Sequence, residues 1–130
     1  INIPQMLYRH AKDAFDIATP WRVHVTVDDV GDEKKPADML VHFGNVTVRK
    51  SVAAGSVLSL ENGMVTLGTE GQPVTIGKNA TIRANEIHLH EVPSLEMLKR
   101  NNIRLEGQVY CNGKLIEELS NLRTGKSPGR

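Results

Sequence analysis

The stretch that decides the fold is VLSLENGMVTLGTEGQPVTIGKNATIRANEIHL, residues 57–89. It consists of very short apolar runs, rich in Val, Ile, Leu and Thr, that are separated by Gly and Asn. Such runs are typical of short strands joined by tight turns. The runs lie at 57–60, 64–67, 74–76, 81–84 and 87–89. Because each run buries little surface, the strands need close neighbours, as in a β-sandwich, a barrel or a short β-solenoid.

The turn signals between these runs predict where the chain changes direction. They are Glu61-Asn62-Gly63, Gly68 to Pro73, Gly77-Lys78-Asn79 and Asn85. We expect the strands to be antiparallel. The runs begin at uneven intervals, so the sequence has no repeat of fixed period, and a regular hexapeptide helix is disfavoured. Asn112-Gly113 is the strongest hairpin turn in the chain, and it predicts that residues 114–119 fold back on the preceding strand.

The part of the chain before residue 57 contains two further strand regions. Residues 21–27 alternate cleanly between apolar and polar side chains, which predicts a strand with one buried face. Residues 28–38 are polar and aperiodic, and we expect a surface loop there. A second strand region covers 39–43, and Gly44-Asn45 is a turn or a bulge before the next strand at 46–48.

Two helices are expected. Residues 4–18 carry Pro4 at a position that suits the start of a helix, and apolar residues follow at spacings of three and four. Residues 94–100 predict one or two further helical turns. The resulting prediction is a mainly β single domain over 1–122, with residues 1–20 as an N-terminal helical arm. The last residues, 123–130, are predicted to be a flexible basic tail.

Composition excludes several classes of partner. The 130 residues include 16 Lys plus Arg and 15 Asp plus Glu, so the net charge of +1 gives no field that would attract nucleic acid. Aromatic residues are too few for a stacking platform, and we expect an aliphatic core. No apolar run is long enough to cross a bilayer. The single cysteine, Cys111, has no partner for an internal disulfide and is expected to be a core residue.

The most pointed chemical feature is the pair His88 and His90. Residues two apart on a strand face the same side, so their imidazoles would lie side by side, as in an iron or zinc site. The remaining ligands would come from symmetry mates or from Glu86, Glu91, His24 or His42. The simpler interpretation is a solvent-facing polar stripe with no metal, because the alternation with inward Ile87 and Leu89 fits it.

Other chemistry is weakly indicated. The sequence contains no Gly-x-Ser-x-Gly elbow, no phosphate-cradling glycine loop and no His-Glu-x-x-His helix, so we expect no enzymatic activity. The carboxylates within 28–38 could bind calcium, but their spacing does not fit an EF-hand, and a solvated loop is the simpler interpretation. His24 and His42 could face one another across a strand ladder.

Residues 46–91, with the segments Val-Thr-Val, Val-Thr-Leu, Val-Thr-Ile and Ala-Thr-Ile-Arg, resemble the small β-rich structural proteins of tailed-bacteriophage virions. These include capsid decoration (cement) proteins and trimeric central spikes of the tail. In the spike family, a His-x-His pair from each of three chains binds iron, and the residues here that match it are His88 and His90. The resemblance implies a location in the virion, after synthesis in the host cytoplasm.

We therefore expect a non-enzymatic structural protein, most simply a decoration protein that stabilises a capsid. Its partners would be protein subunits of a larger assembly, and a homo-oligomer, favoured as a trimer, is expected. The alternatives are a trimeric tail spike with the His-x-His metal site, or a small ligand-binding module that uses the 28–38 loop. Outside a virion, we expect a cytoplasmic protein.

Overall fold

The computed structural model describes residues 3–91 and 94–120. This part of the chain is mainly β, with eleven strands and two short helices. The strands are β1 Gln5–Ala11, β2 Ala14–Ile17, β3 Val23–Val30, β4 Asp38–Val41, β5 Gly44–Val52, β6 Val57–Leu60, β7 Gly63–Leu67, β8 Thr75–Ile76, β9 Thr81–Leu89, β10 Arg104–Cys111 and β11 Lys114–Leu115. The helices are α1 Leu95–Arg100 and α2 Glu117–Ser120. None of the described helices is long and apolar enough to cross a membrane.

The strands form a single sheet wound into a short β-solenoid of about five turns. Each turn stacks on the next through parallel strand pairs, so equivalent residues lie in register one turn apart. Gln5 pairs with His24 after 19 residues, whereas Met64 pairs with Glu86 after 22 residues. The turns therefore differ in length, which is why the sequence shows no fixed period.

The solenoid has three faces. The first face is formed by β1, β3, β5, β7 and the C-terminal halves of β9 and β10. The second, narrower face is formed by β8 and the C-terminal ends of β1, β3 and β5. The third face is formed by β2, β4, β6 and the N-terminal halves of β9 and β10. The chain passes from the first to the third face within each full turn.

The core lies inside the solenoid and is built from in-register columns of aliphatic side chains. Alternate residues on each strand point inward, so residues at the same strand position in successive turns stack on one another. The column on the first face consists of Met6, Val25, Val46, Val65, Ile87 and Val109. All of its members after Met6 are buried. The prediction of an aliphatic core is confirmed.

Two glycines form the sharp corner between the third and first faces. Gly44 and Gly63 pair in register and have φ angles of 143° and 156°, which L residues rarely adopt. A Cβ atom on Gly63 would overlap the carbonyl oxygen of Gly44, and one on Gly44 would overlap the carbonyl oxygen of Val23. Successive corners are therefore in direct backbone contact.

The described residues after β10 cover part of the C-terminal end of the solenoid. Asn112 and Gly113 both have positive φ angles and turn the chain into β11, which pairs antiparallel with β10. Beyond β11, the Ile116 amide donates to the Val109 carbonyl at 2.7 Å, and the Leu119 side chain of α2 is buried. Helix α1 joins β9 to β10 and buries Leu98. The N-terminal end, formed by β1 and β2, has no such cover among the described residues.

The predictions of a mainly β fold, and of a short solenoid as one of its three possible forms, are confirmed. The strand within 21–27, the hairpin turn at Asn112-Gly113 and the helix at 94–100 are also confirmed. The predicted return of residues 114–119 along β10 is shorter than expected, because only Lys114–Leu115 pair with it and Glu117–Ser120 form α2. The surface loop predicted at 28–38 begins later than expected, because β3 continues to Val30. The predicted tail, 123–130, lies outside the described residues.

Three sequence predictions are wrong. Residues 4–18 form β1 and β2 rather than a helix, because parallel pairing with β3 and β4 satisfies their backbone groups and overrides a weak helical spacing. The strands are parallel, apart from the β10–β11 hairpin, because the Gly and Asn punctuation marks corners of a solenoid rather than hairpins. Asn85 is not a turn but lies within the continuous strand β9.

Candidate functional site

His88 lies on the outward side of β9, on the first face of the solenoid. Its Nε2 atom is 2.9 Å from the Glu86 Oε1 atom, two residues earlier on the same strand. Its ring stacks on that of Tyr110, the neighbouring residue on β10, with the ring centroids 4.9 Å apart and the planes at 11°. His88 is thus engaged with groups of its own chain.

His90 lies just beyond the end of β9, where its carbonyl oxygen accepts a hydrogen bond from the side-chain Nδ2 of Asn112 at 3.4 Å. It lines a shallow depression together with the loop at 69–73. In the described part of the chain, no group of three or more His, Cys, Asp or Glu side chains is arranged to hold a metal ion. A metal at His88 and His90 therefore stays a prediction that depends on ligands from other subunits.

His42 lies at the corner that follows β4, between carboxylates of the preceding and following turns. Its Nε2 atom is 2.9 Å from Asp16 Oδ1, and its Nδ1 atom is 2.6 Å from Glu61 Oε1. Partial burial opposes a charge on the imidazole, but the hydrogen bond and charge of Glu61, together with those of Asp16, outweigh it and raise the pKa of His42. The His42 side chain thus links three successive turns.

The predicted facing of His24 and His42 does not occur. His24 lies on the first face and is in register with Gln5 and Asn45, and its Nδ1 atom is 3.5 Å from the Asn45 side-chain amide. His42 lies at the corner before that face begins. The two histidines therefore do not form a common site.

In the loop after β3, a carboxylate accepts hydrogen bonds from amides of the same loop. The Asp32 Oδ1 atom accepts the amides of Lys34 and Lys35 at 2.8 and 2.9 Å, and these two hydrogen bonds lower the pKa of Asp32. The Lys35 ammonium pairs with Asp13 of the first turn at 2.7 Å. The arrangement is that of a solvated turn. Cys111 is buried, in accord with the expected core position.

Exposed apolar side chains concentrate at the N-terminal end of the solenoid. Six large apolar residues are exposed in the described chain, and four of them belong to the first turn and its connection to the second. These four are Ile3, Leu7, Tyr8 and Trp21. Leu7 is 76% exposed and Trp21 is 55% exposed. We call residues 3–21 the first coil.

The first coil also presents unpaired strand edges. The described strands pair with β1 and β2 on one side only, through β3 and β4. The Pro4 carbonyl accepts from His24, so alternation along β1 directs the backbone groups of Met6 and Tyr8 toward β3 and those of Gln5 and Leu7 away from it. Free edge groups of this kind are a template for pairing with another strand.

The first coil was not foreseen as a surface, because a helix was expected there. The strand signal is weak here, because Met6, Leu7 and Tyr8 are all apolar and lack the apolar–polar alternation of residues 21–27. The outward position of Leu7 in the first turn is occupied by Thr26, Thr47 and Thr66 in the next three turns.

Comparisons with protein-family models, with curated proteins and with solved structures find no match to this chain. The functional argument therefore depends on the residues and the geometry described above.

Proposed function

We propose that this chain is a non-enzymatic structural protein that acts by assembling with other protein subunits. The observation that supports the proposal is the first coil, where no described strand pairs with the outer edges of β1 and β2 and where apolar side chains are exposed. On association, an unpaired strand edge forms new hydrogen bonds. Removal of exposed apolar surface from water also makes the free energy of association more favourable. Together they favour a contact with protein.

The chemistry of the histidines is consistent with this role. His42 is held between Asp16 and Glu61, and His88 is held by Glu86 and Tyr110. These contacts join residues within a turn or between adjacent turns, where they stabilise the stack of coils. A role in the architecture of the solenoid accounts for both residues without a substrate.

The setting that we propose is a virion, in which the chain would act as a decoration protein on a capsid. This part of the proposal rests on the resemblance of residues 46–91 to small virion proteins. An adhesive subunit of that kind joins several neighbours through modest contacts that add up by avidity. The first coil would supply one of those contacts.

The test is sedimentation of particles from the organism that makes the chain. Wild type is expected to travel with particles much larger than a monomer. Leu7→Pro removes an amide that points away from β3, so it blocks the edge without breaking the β1–β3 ladder, and most of this variant should stay in the soluble fraction. Met97→Lys is the matched control, because it removes an exposed apolar side chain on α1.

Two results would overturn the proposal. One is that wild type sediments as a free protein under all conditions. The other is that Leu7→Pro and Met97→Lys enter particles equally well, which would exclude the first coil as the contact. Circular dichroism of both purified variants establishes that they keep the wild-type fold.

A further inference from the structure

A groove runs along the corner between the third and first faces, in the middle of the solenoid. Gly44 and Gly63 form this corner in two successive turns, and neither carries a Cβ atom. Val23, which is in register with Gly44 one turn earlier, is buried and points inward. The space left between the side chains before and after the corner has a volume of about 350 Å³. Clefts of about 300–1,000 Å³ are of the size that holds small ligands.

Two rows of side chains form the walls of this groove. The residues before the corner form one row, and the residues after it form the other. The first row consists of Arg22, Phe43, Asn62 and Asn85, and the second of Asn45, Met64 and Glu86. Adjacent parallel strands lie about 4.8 Å apart, so the groups of each row recur at about that distance. This regularity suits an extended ligand that presents similar groups repeatedly.

Asn62 and Asn85 supply hydrogen-bonding groups that the described part of the chain leaves free. Both residues are exposed and line the groove. Neither side-chain amide forms a hydrogen bond with another described residue. By contrast, Asn79 and Asn102, which lie just before β9 and β10, bond to each other at 2.9 Å. Each free amide offers a donor and an acceptor to a ligand.

The charges along the groove select against ionic ligands. Arg22 and Glu86 are the acidic and basic residues that line it, and their charges balance. The Arg22 guanidinium lies over the Phe43 ring, 5.2 Å from the ring centroid, and this contact orients its N–H groups. Glu86 is held at its Oε1 atom by His88 Nε2 at 2.9 Å. A groove with balanced charge favours an uncharged ligand over a phosphate group or a cation.

We infer that this groove binds an uncharged oligosaccharide. A sugar hydroxyl both donates and accepts hydrogen bonds, so neighbouring hydroxyls match the free amides of Asn62 and Asn85 and the oriented guanidinium of Arg22. The C–H groups of a sugar ring are apolar and match Phe43 and Met64, which are half-buried along the same groove. A chain of sugar units also repeats its hydroxyls at regular intervals, as the two rows do. The inference goes beyond the proposed assembly role and does not depend on it.

A peptide is a poorer match to the groove. The strands that flank it, β5, β7 and β9, each pair with a neighbour on both sides, so their edges are not open to an extended peptide. A helical peptide needs apolar anchor pockets, whereas Gly63 contributes only backbone to this groove. The free amides along the walls would then have no role in recognition.

The test is NMR of the full chain with defined probes. These are the uncharged hexasaccharides cellohexaose, maltohexaose and mannohexaose, together with the anionic hexagalacturonate. At least one uncharged probe should shift the side-chain amide resonances of Asn62 and Asn85 in a saturable way. The double variant Asn62→Ala/Asn85→Ala should bind that probe at least about tenfold more weakly, because it loses hydrogen bonds that no neighbouring group replaces. Gln72→Ala is the matched control, since it removes an exposed amide outside the groove and should bind as the wild type does.

Several results would overturn the inference. One is that none of the three uncharged hexasaccharides shifts the two amides, or that they bind the double variant as tightly as the wild type. Another is that hexagalacturonate alone binds, which would show that charge governs the site. A third is that an uncharged peptide of alanine, serine and asparagine shifts the same amides and the hexasaccharides do not. Circular dichroism of both variants establishes that they keep the wild-type fold.

Discussion

The rings of Tyr8 and Phe15 meet edge to face across the interior of the first coil, with their centroids 4.8 Å apart and their planes at 82°. Tyr8 comes from the first face and Phe15 from the third. In the following turns the same two columns hold aliphatic residues, among them Val27 and Met39. The aromatic pair therefore lies at the open end of the core, where it partly covers the aliphatic columns beneath.

We expect this pair to couple the two faces of the first coil. Edge-to-face aromatic pairs contribute about 0.5–1.5 kcal/mol beyond the burial of their area. In a double-mutant cycle with Tyr8→Leu and Phe15→Leu, the free energies of unfolding should be non-additive by about that amount. The control cycle combines Tyr8→Leu with Leu98→Ala at the far end, where additivity is expected. Additive effects in the first cycle would mean that the rings only fill space.

The corner glycine Gly63 should tolerate no side chain. Gly63→Ala would force a Cβ atom into the Gly44 carbonyl oxygen and separate two turns. Gly71→Ala is the matched control, since Gly71 also has a positive φ but has nothing within 4 Å of its added Cβ. The control should lose about 1–2 kcal/mol from backbone strain, and Gly63→Ala should lose clearly more. Equal losses in denaturant unfolding would contradict the close packing of the corners.

His42 should make stability depend on pH in a defined direction. Because Glu61 and Asp16 raise its pKa above the ordinary 6.5, the stabilisation is complete below that ordinary value. It is lost as the pH rises through the raised pKa of the folded state. The advantage of wild type over His42→Asn in free energy of unfolding should therefore be largest below the ordinary pKa of 6.5 and should shrink as the pH rises above it. His10→Asn, a change on the first coil, is the control.

A direct titration of His42 by NMR completes this test. The His42 imidazole should titrate above the ordinary histidine value in wild type and closer to it in Glu61→Gln. A titration that is the same in both proteins would show that Glu61 does not hold the charge on His42.

The metal question at His88 and His90 can be settled by elemental analysis. The contacts of His88 with Glu86 and Tyr110 favour the solvent-facing stripe over an iron or zinc site. We expect purified wild type and the double variant His88→Ala/His90→Ala to carry the same background level of either metal. One iron or zinc per three chains, present in wild type and lost in the variant, would contradict this and support the trimeric spike.

The short strands could be predicted from the sequence because apolar and polar residues alternate along them. This alternation shows which side of a strand is buried. Residues 57–60 are an example. The hairpin at Asn112-Gly113 was predictable for a different reason, its turn residues. Strand direction could not be predicted in this way, because a parallel turn and a hairpin use the same Gly and Asn. The first coil was mistaken for a helix because Leu7, Ala11 and Phe15 have a spacing that suits either structure.

The candidate site was less accessible to sequence reasoning. The first coil is exposed because no described strand lies beyond it, and no local pattern in residues 3–21 contains that information. His42 is another example: its partners Asp16 and Glu61 lie 26 residues before it and 19 after it. Only the register of the turns brings the three together.

The central claim is that the open edge of β1 is the assembly surface, and residue-resolved amide exchange on the assembled protein tests it most directly. We predict that the Gln5 and Leu7 amides, which point away from β3, exchange slowly in the assembled state and quickly after dilution to monomers. The Met6 and Tyr8 amides should be protected in both states. Fast exchange of Gln5 and Leu7 in the assembled state, with new protection on another face, would contradict the account.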